Sequence, residues 1–206
     1  MNLPTTHPFD YLLLMSRLEK RYNSPRNKIQ QLVRSGEIIR IKKGLYVTKS
    51  PHGENAAIDP FVLSGLIYGP SYVSLETALA YHQLIPERVD EITCITSKRK
   101  KRFHTPLGRF TYAPINEASF PIGIKIESGR GGSWYLAEPE KALCDRIAQV
   151  KHLHALRDVP PLLRDNLRIA PERLEQLRLP LIIEIASHYR QKNVSTFANW
   201  FAKHHS

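Results

Sequence analysis

The chain has 206 residues, 42% of them apolar, which suffices for one large or two small packed domains and excludes a disordered tail. No stretch approaches the roughly 18 consecutive apolar residues of a membrane span, and the N-terminus lacks the basic start and small-residue cleavage site of a leader, so a cytoplasmic protein is expected. The net charge is +11, and it is concentrated: residues 1–50 carry +7, residues 97–110 carry +6, and the remainder sums to −2. That distribution marks a local footprint for phosphate rather than a uniform solubility coat.

In chain order, Phe9 to Tyr22 is predicted as a first helix, with Phe9, Leu12, Leu13, Ser16 and Leu18 on its packing side. Ser24 to Thr48 then reads as a short polar helix followed by a basic β-hairpin. Ser24 is placed to cap the helix, Pro25 sits at its first position where the missing N–H costs nothing, and Gly36 supplies a left-handed stop. Ile29, Leu32 and Val33 form an apolar stripe. Arg26, Asn27, Gln30, Gln31 and Arg34 fall on other faces and are residue types able to read base edges in a major groove. Ile38 to Ile41 and Leu45 to Thr48 flank Lys42, Lys43 and Gly44 as a hairpin, whose Arg40, Lys42 and Lys43 suit phosphate or minor-groove contact. The pattern is that of a winged helix-turn-helix over residues 1–50, although only one clear helix precedes the candidate reading helix.

Lys49 to Asn55 is a polar Pro/Gly linker and the expected boundary with a second domain over residues 51–206. Beyond it, Asp59 to Tyr68 and Ser74 to Leu84 are predicted helices. Glu91 to Thr96, Gly108 to Ile115, Ile122 to Glu127 and Ser133 to Leu136 are predicted strands. Between the first two strands, Lys98, Arg99, Lys100, Lys101 and Arg102 form a cationic run, expected as a loop that contacts nucleic-acid backbone. Pro139 opens a helix to about Lys151, and after Pro160 and Pro161 the tail is helical. In its last helix, Val194, Phe197, Ala198 and Phe201 share one packing side. The fold class expected is α+β, with a small sheet and a helical tail behind the N-terminal module.

Chemistry-bearing clusters are few. Cys94 and Cys144 stand alone and read as buried hydrophobes, while His152 and His154 point to different sides of any helix and have no ligand at zinc-like spacing. His204 and His205 read as a frayed terminus. Gly129 to Ser133 is glycine-rich without P-loop order, and no nucleophile elbow, dinucleotide fingerprint or HExxH occurs. Glu138, Glu140 and Asp145 read as first-turn acids and an i, i+4 pair with Lys141. No catalytic residue, metal ligand or cofactor is therefore assigned, and an enzyme is not expected. Two rival readings stay open: a metal-dependent nucleic-acid enzyme acting through Glu127 or Asp145, and a protein-interaction module that uses its C-terminal helices without reading DNA.

Four segments taken in order, GEIIRIKKGLYV, SYVSLETALAYHQLIPERVDEITCIT, the basic stretch into GRFTY, and AEPEKALCDRI, resemble the AbiEi antitoxin family of bacterial AbiE-type toxin-antitoxin systems. The resemblance covers Ser24 to Ile147 and is most specific from Tyr72 to Leu84 and from Ala137 to Asp145. It implies a winged helix that represses its own promoter through inverted repeats in double-stranded DNA. It also implies a C-terminal domain needed for antitoxicity, opposing an AbiEii-like nucleotidyltransferase toxin in the type IV manner, without a stable complex. By the same resemblance DNA reading goes to Arg26, Asn27, Gln30, Gln31, Arg34, Arg40, Lys42 and Lys43.

Overall fold

The computed structural model describes residues 7–49, 58–151 and 153–204. The linker beyond Lys49, together with His152 and His205, lies outside them. At the start, Phe9–Asp10 forms a short strand, β1, and only then does the first helix begin, as α1 (Tyr11–Leu18). The Asp10 carboxylate accepts the Leu13 backbone N–H at 2.8 Å, which caps the helix there rather than at Phe9. Of the predicted packing side, Phe9 and Leu18 are buried in the small core, but Leu12 and Leu13 are not. Leu14 and Leu18 are buried, whereas Leu12 is 74% exposed. Leu14 and Leu18, four residues apart, share the inward side of α1, and Phe9 reaches the same core from β1.

Helix α2 (Pro25–Arg34) follows, with Pro25 in its first turn and Gly36 at φ +73° beyond its end. Ser24 occupies the cap position but its hydroxyl makes no capping bond. Strands β2 (Ile38–Lys42) and β3 (Leu45–Thr48) form the expected hairpin, turning through Gly44 at φ +85°. With β1 they make a three-stranded antiparallel sheet in the order β1-β3-β2.

The hairpin serves two cores. Residues alternate across a strand, so Ile38 and Tyr46 join Phe9, Leu14, Leu18, Ile29 and Leu32 in a small cluster under α1 and α2. On the other face Ile41, Leu45 and Val47 belong to the large cluster built by the rest of the chain.

That larger part begins with a 3₁₀ turn (Pro60–Val62) leading into α3 (Leu63–Ile67), then β4 (Ser71–Val73) and α4 (Leu75–Tyr81). Strands β5 (Glu91–Thr96), β6 (Lys101–Thr105), β7 (Gly108–Pro114), β8 (Ile124–Gly129) and β9 (Gly132–Ala137) complete a mixed six-stranded sheet in the order β6-β7-β5-β4-β9-β8. The pairs β5 with β7 and β4 with β9 are parallel and the others antiparallel. Helix α5 (Pro139–Ala148) buries Leu143 and Ile147 completely. The tail supplies α6 (Val159–Pro161), α7 (Pro171–Leu174), α8 (Leu179–Ser187) and α9 (Lys192–His204). Val194, Phe197, Ala198 and Phe201 of α9 are all buried, as their spacing predicted. The fold is α+β, a mixed sheet with helices. No helix among the described residues is long and apolar enough to cross a membrane.

Candidate nucleic-acid interface

Because Ile29 and Leu32 face the small core, helical geometry turns the rest of α2 outward, and Arg26, Asn27, Gln30, Gln31 and Arg34 are all exposed. Lys28 reaches one turn onward to Gln31, with Nζ donating to Oε1 at 3.1 Å, and also stands 5.3 Å from the Tyr22 ring centroid. Beside this helix the hairpin stands up to leave a concave groove of about 910 Å³. Arg26, Gln30 and Arg34 line it from α2, and Arg40 and Lys43 line it from the hairpin. Tyr11 and Tyr46, which the sequence pattern did not single out, form part of its wall. Four guanidinium or ammonium groups thus converge on one groove with no carboxylate among its lining residues. Asn27 and Gln31 lie outside it.

Lys42, unlike Lys43, does not line this groove. A register shift between Arg40 and Lys42 separates the two residues' directions, and Lys42 Nζ donates to the Ile67 carbonyl at the end of α3, at 2.7 Å. Burial lowers its pKa, and the neighbouring charges of Lys101 and Lys98 lower it further. The exposed cation at the hairpin tip is Lys43.

The cationic run is not wholly a loop. Lys101 and Arg102 open β6, paired with Tyr112 and Thr111 of β7, and every cation from Lys98 to Arg102 is exposed. Lys98 Nζ donates to the Gly69 carbonyl and lies 5.4 Å from the Tyr68 ring centroid, while Lys101 Nζ lies 5.5 Å from the same ring. Lys42, Lys98 and Lys101 therefore meet over the end of α3, where free carbonyls and one aromatic face offset their mutual repulsion. Arg99, Lys100 and Arg102 extend this basic surface along the β6 edge.

The acids of α5 also differ from expectation. Asp145 is buried and accepts from Ser74 Oγ at 2.6 Å, from Tyr72 at 3.1 Å and from the Tyr189 hydroxyl. Lys141, equally buried, donates to the Ser119 carbonyl at 2.7 Å and to Tyr189 Oη at 2.8 Å. Desolvation pushes the Asp145 carboxyl up and the Lys141 ammonium down, with their mutual attraction opposing both shifts. Glu140 is buried against Arg178, which also pairs with Glu138. With no exposed member, the Lys141 and Asp145 network cross-links α5 to β4 and to the end of α8. Among the described residues no cluster of three or more His, Cys, Asp or Glu could hold a metal ion.

No family model matches the chain, and no curated protein matches it. Its fold is similar to the crystal structure of the RV2827C protein from Mycobacterium tuberculosis, with a TM-score of 0.51 over 97% of this chain and 77% of that one. At 16% identity the likeness is one of fold alone.

Proposed function

We propose that the protein is a double-stranded-DNA-binding regulator whose N-terminal unit acts as a winged helix-turn-helix. In this reading α2 enters the major groove, with Arg26, Gln30 and Arg34 toward base edges, and Arg40 and Lys43 of the hairpin hold the flanking phosphates. The observation that carries it is the groove between α2 and the hairpin, lined by four cations, a glutamine and no acid. The basic β6 edge adds sequence-blind backbone affinity. The resemblance to the AbiEi family supports the rest of the reading: a cytoplasmic antitoxin that represses its own promoter through inverted repeats and counters an AbiEii-like nucleotidyltransferase toxin without a stable complex.

The deciding experiment is fluorescence anisotropy of the full chain on DNA from upstream of its own gene, competed by shuffled DNA of the same composition. Specific binding should exceed non-specific binding by about 10³-fold or more, with log K falling linearly against log salt. Equal affinity for both DNAs would overturn regulation by sequence reading.

A further inference from the structure

The six-stranded sheet has two edges of opposite character. At one end β6 carries exposed Lys101 and Arg102, continuous with Lys98, Arg99 and Lys100, and a strand so charged is protected from pairing with another copy. At the other end β8 pairs only with β9 among the described residues and carries Lys125 and Glu127, which neutralise one another at 2.6 Å. Between them Ile126 is 65% exposed, directly opposite Tyr135 of β9, itself 52% exposed. Among the described residues this edge strand has no further strand beside it, and its two charges cancel, which leaves the apolar pair and a net-neutral edge open to strand addition.

The register says which backbone groups are free. Gly129 and Gly132 close a two-residue turn and are a paired couple in the ladder, so alternation directs the Glu127 and Lys125 backbones toward β9. The N–H and C=O groups of Ile124, Ile126 and Ser128 then face outward. An identical strand laid antiparallel with Ile126 opposite Ile126 uses all of them, pairing Ile124 with Ser128 on either side. In that register, and in no neighbouring one, each Lys125 falls opposite a Glu127 of the other copy.

We propose that β8 is a self-association surface, and that its occupant is β8 of a second copy in this twofold antiparallel register. The choice of a second copy rests on that charge complementarity, since Lys125-Ile126-Glu127 is its own complement when reversed. It rests also on position: β8 is the sheet edge farthest in strand order from the cations of β6, so two strongly basic chains can meet there with less repulsion. A single pair of short strands buries little area, so the dimer is a weak one.

Sedimentation equilibrium of the full chain, from micromolar to millimolar protein, tests this directly. A monomer–dimer equilibrium is expected for the wild type. Lys125→Glu places like charges opposite one another twice per dimer and should raise the dissociation constant on the order of tenfold. The double reversal K125E with E127K re-forms both cross-strand pairs and should restore wild-type association. Ile126→Lys should leave only monomer, and thermal melts of each variant establish that the monomer is folded. A wild type that stays monomeric throughout, a dimer indifferent to Lys125→Glu, or a double reversal that fails to restore it would each overturn the proposal. None of these results depends on whether the protein binds DNA.

Discussion

Lys141 and Asp145, one turn apart on α5, face each other at 3.5 Å with neither side chain exposed. A pair at this spacing on a surface helix contributes a few tenths of a kcal/mol, but burial changes the magnitude and the consequence. Asp145→Ala leaves an ammonium in the core and three hydroxyls, on Tyr72, Ser74 and Tyr189, without their acceptor. The expected loss is about 3–5 kcal/mol in urea unfolding. Lys141→Met should cost less, because Asp145 keeps its hydroxyl donors. A loss below about 1 kcal/mol for Asp145→Ala would mean that the carboxylate is not a buried hub.

Lys42 and Lys43 are adjacent and should behave differently. Lys43 stands at the hairpin tip in the groove, so Lys43→Ala should lower the slope of log K against log salt by about 0.9, one phosphate contact. Lys42 is held by the Ile67 carbonyl, so Lys42→Ala should leave the slope unchanged and cost stability, about 1 kcal/mol at a half-buried site. Salt titrations and unfolding curves on both variants check this. Equal slope losses would return Lys42 to the interface.

Much of the local structure is legible in the sequence. The bracketing of α2 by Pro25 and Gly36, the hairpin, and the apolar side of α9 follow from local backbone chemistry and period alone. Elements whose identity depends on distant partners are not. Phe9 and Asp10 become a strand only because β3 offers an edge, and Ser71 to Val73 is too short to show a period. The exposed face of α2 is equally readable, since two buried positions fix the other side of a helix. What Lys42 does is not, because it turns on a carbonyl 25 residues away. The burial of Lys141 and Asp145 is hidden for the same reason: a charged i, i+4 pair looks alike on a surface and in a core, and its donors Tyr72, Ser74 and Tyr189 lie far off in sequence.

His82 gives the fold a pH dependence. Its Nε2 is bonded to the Ala137 carbonyl at 2.8 Å, and burial lowers its pKa, outweighing the hydrogen bond that raises it. The unfolded chain therefore takes up this proton first as pH falls below the ordinary value of 6.5. Binding more protons in the unfolded state makes stability fall with falling pH from there until the folded histidine also charges. Comparing His82→Gln, which keeps a donor for Ala137, with wild type in urea titrations from pH 8 to 5 isolates the effect. The two should run parallel above neutrality, and wild type should lose more on acidification. Parallel curves throughout would show that the histidine titrates alike in both states.

If α2 reads bases, its groove-lining residues should discriminate. Gln30→Ala and Arg34→Ala are each expected to cost about 1–3 kcal/mol on the cognate promoter site and little on shuffled DNA. Equal losses on both DNAs would assign them to positioning.

The shared hairpin predicts how the two cores are coupled. Val47 is fully buried in the large cluster while its neighbour Tyr46 lies in the small one, so β3 belongs to both. Leu14 touches only the small cluster. Val47→Ala should therefore raise hydrogen exchange on both sides of the sheet, in α1 and α2 as well as in α3, whereas Leu14→Ala should raise it in α1, α2 and the hairpin and leave α5 and α9 protected. Each truncation removes buried methyl groups and leaves a cavity, at a cost of about 2–5 kcal/mol for Leu14 and less for the smaller valine. It follows that a fragment lacking residues 1–48 exposes the apolar surface that Ile41, Leu45 and Val47 cover, and should unfold at lower urea than the intact chain. Exchange that stays local to β3 in Val47→Ala would show that the hairpin packs on the larger core without coupling the two.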